Sequence, residues 1–379
     1  MTPVVGLYVH IPFCASICSY CDFYRIAAGN GIPDNFEDLL LKEAALYARE
    51  EPLFVDTVYF GGGTPSLFAG ERLQKLLAKL GGIFAIPDGA EITLEANPED
   101  VTADVLAAWK EAGVTRLSIG IQSFDGEVLR RLKRGVSPDR AMKALAETCD
   151  AGFDHLSADF MTGVPGQNVK LFQRDLETAA AFNIDHLSVY ALDLHSGTRL
   201  YNDVAKGRES LPSDDTTSAL LELAHDYLAG LGFEHYEISN FALPGGKSRH
   251  NLKYWRCEPT IGLGPSAWSR FGGVVAGNHR RLSLWMEDVE AGRLPRDSVE
   301  EVGPVRLAED RIIFGLRLSD GIEWTAAAEA LGLDRCLAED RAARLSASGR
   351  SVLENGVLSL TPSGFLVSTE AILYLLDGG

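Results

Sequence analysis

The stretch from Tyr8 to Phe23, YVHIPFCASICSYCDF, places three of the chain's six cysteines within eight residues. Cys14, Cys18 and Cys21 follow a C-x3-C-x2-C spacing. Whatever these thiols hold must be covered by the rest of the chain, so the fold is constrained from here. Positions i, i+4 and i+7 share one helix face, and Cys is a common buried residue. Pro12 and the aromatics Phe13, Tyr20 and Phe23 argue instead for a loop leaving a strand over Val4–His10. A structural zinc site normally takes four ligands, and no fourth lies nearby. A disulfide leaves an odd thiol. The remaining reading is a [4Fe–4S] cluster on three thiolates, with one iron open to a small molecule.

Beyond the loop, apolar periodicity alternates. Strands are expected at Thr57–Phe60, Glu91–Ala96, Arg116–Ile121, His155–Phe160 and His186–Ala191, with helices at Pro33–Glu50, Glu71–Leu80, Thr102–Ala112, Ser137–Ala151 and Leu171–Phe182. Six strands alternating with helices predict an α/β fold with a parallel sheet. A complete eight-unit barrel takes about 250 residues, so six units make an open, partial (β/α)6 barrel over 1–195. Functional residues then belong at the C-terminal strand ends. The pattern changes from Ser196. A helix at Asp214–Leu231, a strand at Glu234–Ser239, a glycine-rich stretch from Gly245 to Gly277 with few regular signals, and a helix at Leu284–Gly292 suggest an α+β extension, 196–300, that closes the active site. Helical stretches at Leu307–Leu316, Thr325–Leu331 and Arg341–Ser348, a hairpin at Asn355-Gly356 and a last helix Pro362–Leu376 suggest a winged-helix-like unit over 301–379.

Composition excludes some partners. The formal charge of −18 suits neither DNA nor anionic membranes. No run of about 18 apolar residues could span a bilayer. The start, MTPVVGLYVHIPF, lacks a basic n-region and a cleavage site, so no signal peptide is read. A loop that needs reduced thiols points to the cytoplasm.

Several strand ends carry candidate ligands. Gly61-Gly62-Gly63-Thr64-Pro65 is a plain turn or a ledge where a ligand meets backbone. Glu95 is a solvated edge charge or an acceptor for ribose hydroxyls. Gln122, Arg134 and Asp159 follow on the next two units, each weak alone. His250, in an aromatic, glycine-rich segment, is a structural residue or a ligand of haem iron.

The cysteine loop resembles the signature of the radical S-adenosylmethionine (SAM) superfamily, and YVHIPFC is similar to its HemN/HemW branch. Gly163–Gln167 resembles that branch's GLPGQ loop, Arg249–Trp255 its HNxxYW motif, and Gly262–Pro265 its GxG turn. The resemblance implies a cluster on Cys14, Cys18 and Cys21 whose open iron is chelated by SAM, and electron transfer that yields a 5′-deoxyadenosyl radical. It assigns Tyr8, Tyr20, Gly62 and Glu95 to a first SAM position. Gly63, Thr64, Gln122, Arg134 and Asp159 belong to an adjacent second one. It names no catalytic residue. Three departures bear on the substrate: the branch has a histidine at Val136 and at Trp268, and an acidic residue at His195.

Three functions share this scaffold. Asp22-Phe23 and HNxxYW favour a HemW-like haem chaperone, with haem, haem-donor or haem-acceptor proteins and an electron donor as partners. The departures keep open a methyltransferase or cyclopropanase of secondary metabolism. An oxygen-independent coproporphyrinogen III oxidase would carry a further cysteine at Phe23 and an N-terminal extension.

Overall fold

In the computed structural model, residues 4–377 are described apart from 30, 50–52 and 69. The last residue of the expected first helix, Glu50, and the first three residues of the chain lie outside them.

Six strands form the expected series: β1 (Val4–Ile11), β2 (Phe54–Gly62), β3 (Glu91–Ala96), β4 (Arg116–Gln122), β5 (His155–Thr162) and β6 (His186–Ala191). They pair in parallel in that order. Their sequences are runs of Val, Leu, Ile and Phe buried on both faces, which is what helix-covered parallel strands require. The covering helices include α1 (Phe36–Tyr47), α2 (Gly70–Ile83), α3 (Ala103–Glu111), α4 (Gly126–Leu132), α5 (Pro138–Ala151) and α6 (Val169–Ala180). The sheet continues beyond this series and does not close, so the barrel is partial.

Past β6 the chain adds strands to both edges. A hairpin, β7 (Glu234–Glu237) and β8 (Asn240–Ala242), pairs antiparallel with β6. Strand β9 (Thr260–Leu263) crosses to the other edge and pairs in parallel with β1. There β10 (Trp268–Phe271), β11 (Val274–Asn278) and β12 (Arg296–Glu301) complete a meander. The stretch from Gly245 to Gly277 is thus regular, contrary to its appearance in sequence. Its strands are only four or five residues long and their glycines are packing requirements. A Cβ on Gly264, which has φ +96°, would lie 2.5 Å from the His10 carbonyl oxygen. Short helices at 126–132 and 199–205 also escaped the periodicity reading, being seven residues each. The expected final helix is two, Pro362–Phe365 and Ser368–Asp377.

The same stretch contains α7 (Arg249–Trp255), whose first turn sits on the N-terminal ends of β3 and β4. The Glu91 carboxylate, at the start of β3, accepts the N–H groups of Arg249 (3.1 Å) and His250 (2.9 Å). It also pairs at 3.2 Å with Arg116, the first residue of β4, and both side chains are buried. An anion at a helix N-terminus is favoured by the orphan N–H groups there. This helix therefore plugs the barrel mouth opposite the cysteine loop. Gly6 makes room for it: a Cβ there would stand 2.8 Å from Lys253 Cδ.

Residues after 304 pack a core of their own, with Ile312, Leu316, Trp324, Leu358 and Leu375 at its centre. The hairpin Ser351–Glu354/Val357–Leu360 turns on Asn355 (φ +53°) and Gly356 (φ +86°), the positive-φ pair that an Asn-Gly turn supplies.

Glu43 ties α1 to the β9–β11 edge. Its fully buried carboxylate accepts from Gly264 N (2.8 Å), Asn278 Nδ2 (2.6 Å) and Trp285 Nε1 (2.9 Å). Each buried donor left unpaired costs about 1–3 kcal/mol. Glu43→Leu should therefore lower the urea midpoint by a loss of about 3 kcal/mol or more. A midpoint equal to that of the parent protein would refute the clasp.

Candidate active site

The cysteine loop is held at three points. Phe13–Cys14 pairs in parallel with Ile26–Ala27 and closes its ends. Its middle is pinned by Ser19, whose N–H (3.2 Å) and Oγ (2.9 Å) both donate to the Leu132 carbonyl. The Ser19 carbonyl accepts from Leu200 N at 2.8 Å. Cys14 is buried, and Cys18 and Cys21 are half-buried. Burial pushes the Cys14 and Cys21 thiols up, so a metal that needs thiolates must displace their protons. Among the described residues, no three His, Cys, Asp or Glu side chains converge as ligands of a single ion.

All three thiols open into one cavity of about 400 Å³ at the C-terminal ends of the parallel strands. Tyr20, Gly62, Gly63, Thr64, Glu95, Gln122, Arg134 and Asp159 line the same cavity. Strand ends 100 residues apart in sequence thus meet in one place because parallel strands place all their C-termini on one rim. Tyr8 lies beneath the floor: its hydroxyl is 3.0 Å from His10 Nδ1 and its ring stacks on Tyr59.

The glycine ledge is a packing device. Gly63 N donates to the Ile11 carbonyl and Thr64 N to the Phe13 carbonyl, each at 2.8 Å. A Cβ on Gly63 would lie 2.7 Å from the Pro12 carbonyl carbon, and one on Gly62 (φ +112°) 2.5 Å from the His10 ring. Glycine is demanded here by the close approach of the ledge to the cysteine segment and its neighbour His10.

The electrostatics centre on two carboxylates. Glu95 accepts from Tyr59 Oη at 2.7 Å and from Gly62 N at 3.2 Å. Burial, aided by repulsion from Asp159, pushes its carboxyl up to about 7. Asp159, also raised by burial, accepts from Ser118 Oγ at 2.8 Å and 2.9 Å. Arg134 is the cation among them. Its Nη2 donates to the Gly120 carbonyl (2.6 Å) and Asn97 Oδ1 (3.0 Å), and its Nη1 lies 3.5 Å from Cys18 Sγ. Gln122 adopts φ +68° where the β4–β5 register shifts, which turns this strand end toward the cavity.

His250 does not match the expectation of an iron ligand. It is fully buried in the plug helix. Nδ1 is 2.9 Å from Thr57 Oγ1 and Nε2 is 2.9 Å from Tyr254 Oη, so both ring nitrogens are engaged. Burial holds its pKa down to about 3, and its ring stacks on Tyr59 below the cavity. Ligation of an iron would require breaking the plug. Val136 packs in the main core, while Trp268 is 57% exposed on β10. Residues that sequence reading missed include Asn97, which joins Arg134 to Thr64, and Tyr59, which orients Glu95. Asn97 lies in the same LEANP run as Glu95, but nothing in its spacing marks it as a bridge.

The Tyr59 bond favours the ionised form of Glu95, and Asp159 opposes it. Tyr59→Phe should raise the Glu95 midpoint above about 7 and Asp159→Asn should lower it, read by carbon-13 NMR titration. The folded value lies above the unfolded 4.5, so this group's contribution to stability is full below about 4.5 and is lost as pH rises through about 7. Unmoved midpoints in both variants would refute the coupling.

Comparison with known proteins identifies the family. The model of the Radical SAM superfamily matches residues 8–179. The heme chaperone HemW of Mycobacterium tuberculosis (strain H37Rv) is 36% identical, covering 98% of this chain and 94% of the relative. That of Bacillus subtilis (strain 168) is 31% identical over 98% of this chain and 95% of the relative. The solved structure of coproporphyrinogen III oxidase (HemN) from Escherichia coli superposes with a TM-score of 0.84, covering 100% of this chain and 91% of that one. At 23% identity that likeness shows a shared fold. On the strength of the HemW relatives, matched almost from end to end, the chain belongs to the HemW family of the radical SAM superfamily.

Proposed function

We propose that this protein is a haem chaperone of the HemW type, with Cys14, Cys18 and Cys21 holding a [4Fe–4S] cluster and the adjoining rim holding SAM. One observation carries the reading. A single cavity gathers three loop thiols, a glycine ledge and strand-end carboxylates, in a chain that its HemW relatives match almost throughout. Membership of the superfamily itself implies a cluster and SAM.

The donor set fits those groups. Three thiols on one loop match a cluster with one open iron, and Arg25 and Arg134 beside them offset thiolate charge. When bound, the cluster supplies the electron that SAM cleavage needs. The chain's own residues bind and orient. Glu95, already aligned by Tyr59 and Gly62, keeps lone pairs for ribose hydroxyls. Asp159 and Gln122 offer polar groups across the cavity to a second nucleotide. Tyr20 and Met161 cover the cavity wall and exclude water. In this reading 196–300 forms an extension that widens both sheet edges and stops the mouth opposite the site, where sequence had suggested closure of the site itself, and 301–379 is a small winged-helix-like unit for partner contact. Haem is carried without His250, whose nitrogens already serve the plug.

Substitution of any one loop cysteine by Ala should abolish the brown cluster absorbance after anaerobic reconstitution, and Cys149→Ala should retain it. Glu95→Ala should keep the cluster but lose about 1.5–3 kcal/mol of SAM affinity by calorimetry, the worth of a hydrogen bond to a charged group. Equal loss of absorbance in Cys149→Ala would overturn the ligand set, and unchanged SAM affinity would overturn the ribose role.

The function itself is tested by haem titration of the reconstituted protein. A Soret band that saturates at micromolar haem, in both the parent and His250→Gln proteins, is the expected result. Absence of binding by the parent protein would remove the chaperone reading. Methyl transfer from SAM would then favour the methyltransferase class.

A further inference from the structure

A haem carrier needs a group that holds the iron, and the plug helix already engages His250. The chain has eight histidines, all among the described residues. His10, His186 and His250 are buried, and both ring nitrogens of each lie within hydrogen-bond distance of a protein oxygen. His279 stands between Asp288 (3.1 Å) and Asp297 (3.3 Å), one on each ring nitrogen. His225 and His235 face each other, Nδ1 to Nδ1 at 3.3 Å, and His235 stacks on Phe241. His155 begins β5, at the end of the sheet away from the cavity, and pairs with Asp185 at 2.6 Å. His195 is the exposed one among the eight, and the one that lines the cavity of the loop thiols.

The exposed residues Asp22, Phe23, Asp193 and His195 line this cavity together, at its mouth. His195 Nε2 is 3.2 Å from Asp22, the neighbour of Cys21, and 3.3 Å from Asp193. Its main chain is fixed. The His195 carbonyl accepts from Thr198 Oγ1 (2.8 Å) and Thr198 N (3.3 Å), and Thr198 caps the helix Arg199–Ala205. Two carboxylates facing Nε2 keep the ring proton there, which leaves Nδ1 a lone pair. Turning the ring over about its Cβ–Cγ bond exchanges the two nitrogens, so that Nδ1–H meets the carboxylates and Nε2 is offered instead. A metal-bound histidine nearly always donates its second N–H to such a group, which orients the ring and raises its basicity. As an exposed ion pair alone the contact would hold the fold only weakly. The surroundings suit a flat apolar ring. Phe23 is 65% exposed, and Tyr190 and Leu192 line the same wall. The cavity of about 400 Å³ is of the size that buries one small ligand, so a macrocycle in addition to SAM belongs at its mouth.

We propose that His195 is the axial ligand of the haem iron, with Asp22 and Asp193 as the carboxylates that hold its ring. The proposal rests on the haem reading above. In the step it supports, a water leaves the iron of ferric haem and a ring nitrogen gives its lone pair to the metal. The other ring nitrogen keeps its proton beside the carboxylates, and no electron is transferred. Haem then lies over the cavity mouth on one exposed bond, with its opposite face open to a ligand from an acceptor protein. A buried ligand would retain haem, whereas an exposed one lets it be passed on. His195 is one of the three departures from the branch pattern, so this ligand belongs to this chain.

The test is resonance Raman spectroscopy of haem bound to the cluster-reconstituted protein, reduced with dithionite so that the iron–histidine stretch is read directly. Cluster absorbance before haem is added reports that each variant has folded. The parent protein should show the band, and His195→Ala and His195→Gln should both lose it. Added imidazole should restore the parent Soret position to ferric haem in His195→Ala. Asp22→Asn/Asp193→Asn should keep the band at a lower frequency and bind haem about tenfold more weakly. His279→Gln, at another histidine held between two aspartates, should match the parent. A band that persists in both His195 variants would overturn the proposal, as would one lost equally in His279→Gln. So would a parent protein that binds haem without an iron–histidine band. An unchanged frequency in the aspartate variant would overturn the role of the carboxylates. A parent protein that binds no haem would remove the chaperone reading itself, and this ligand with it.

Discussion

The contact between the glycine ledge and the cysteine segment is the constraint on which the site depends. Gly63 and Thr64 donate to the carbonyls of Ile11 and Phe13, and no side chain fits between the two backbones at Gly63. This clamp fixes Cys14 relative to the end of β2. From β2 the register passes by parallel pairing to Glu95, then to Gln122 and Asp159. A shift at the clamp would move the thiols relative to every strand-end group. The main chain sets the geometry here, and side-chain chemistry is laid over it.

The opposite end of the barrel is closed by a different device. The Glu91–Arg116 pair is buried, a costly arrangement unless its remaining valences are satisfied. They largely are: Glu91 caps α7, and Arg116 Nη2 donates to the carbonyls of Gly246 and Lys247. The plug it anchors carries His250 and Tyr254 upward to Tyr59, which in turn meets Glu95. A motif that reads as a haem edge in sequence thus supports the floor of the cavity from below. Its aromatic and basic residues are explained by packing and capping.

Charge is distributed unevenly in the same spirit. Inside the cavity, Glu95 and Asp159 oppose each other while Arg134 stands between the carboxylate side and the thiols. Outside it, the chain as a whole is acidic, with 53 Asp and Glu against 35 Lys and Arg. The cavity charges sit at the C-terminal rim, where loops are free to vary without disturbing the buried strands.

The sequence by itself determined the features that local pattern can encode. The C-x3-C-x2-C spacing, the strand–helix alternation to Ala191 and the Asn-Gly hairpin were all legible because each is written in neighbouring residues. Gln122, Arg134 and Asp159 became interpretable through family resemblance. Tertiary structure decided the rest. Nothing near Gly245–Gly277 reveals that β9 pairs with β1, or that Gly264 must clear the His10 carbonyl, because those neighbours lie some 250 residues away. His250 could be a ligand in sequence, and only its bonds to Thr57 and Tyr254 exclude that use. Short-range periodicity reports which face of an element is buried. What that face meets, and what is left exposed beside it, is settled only when distant segments pack.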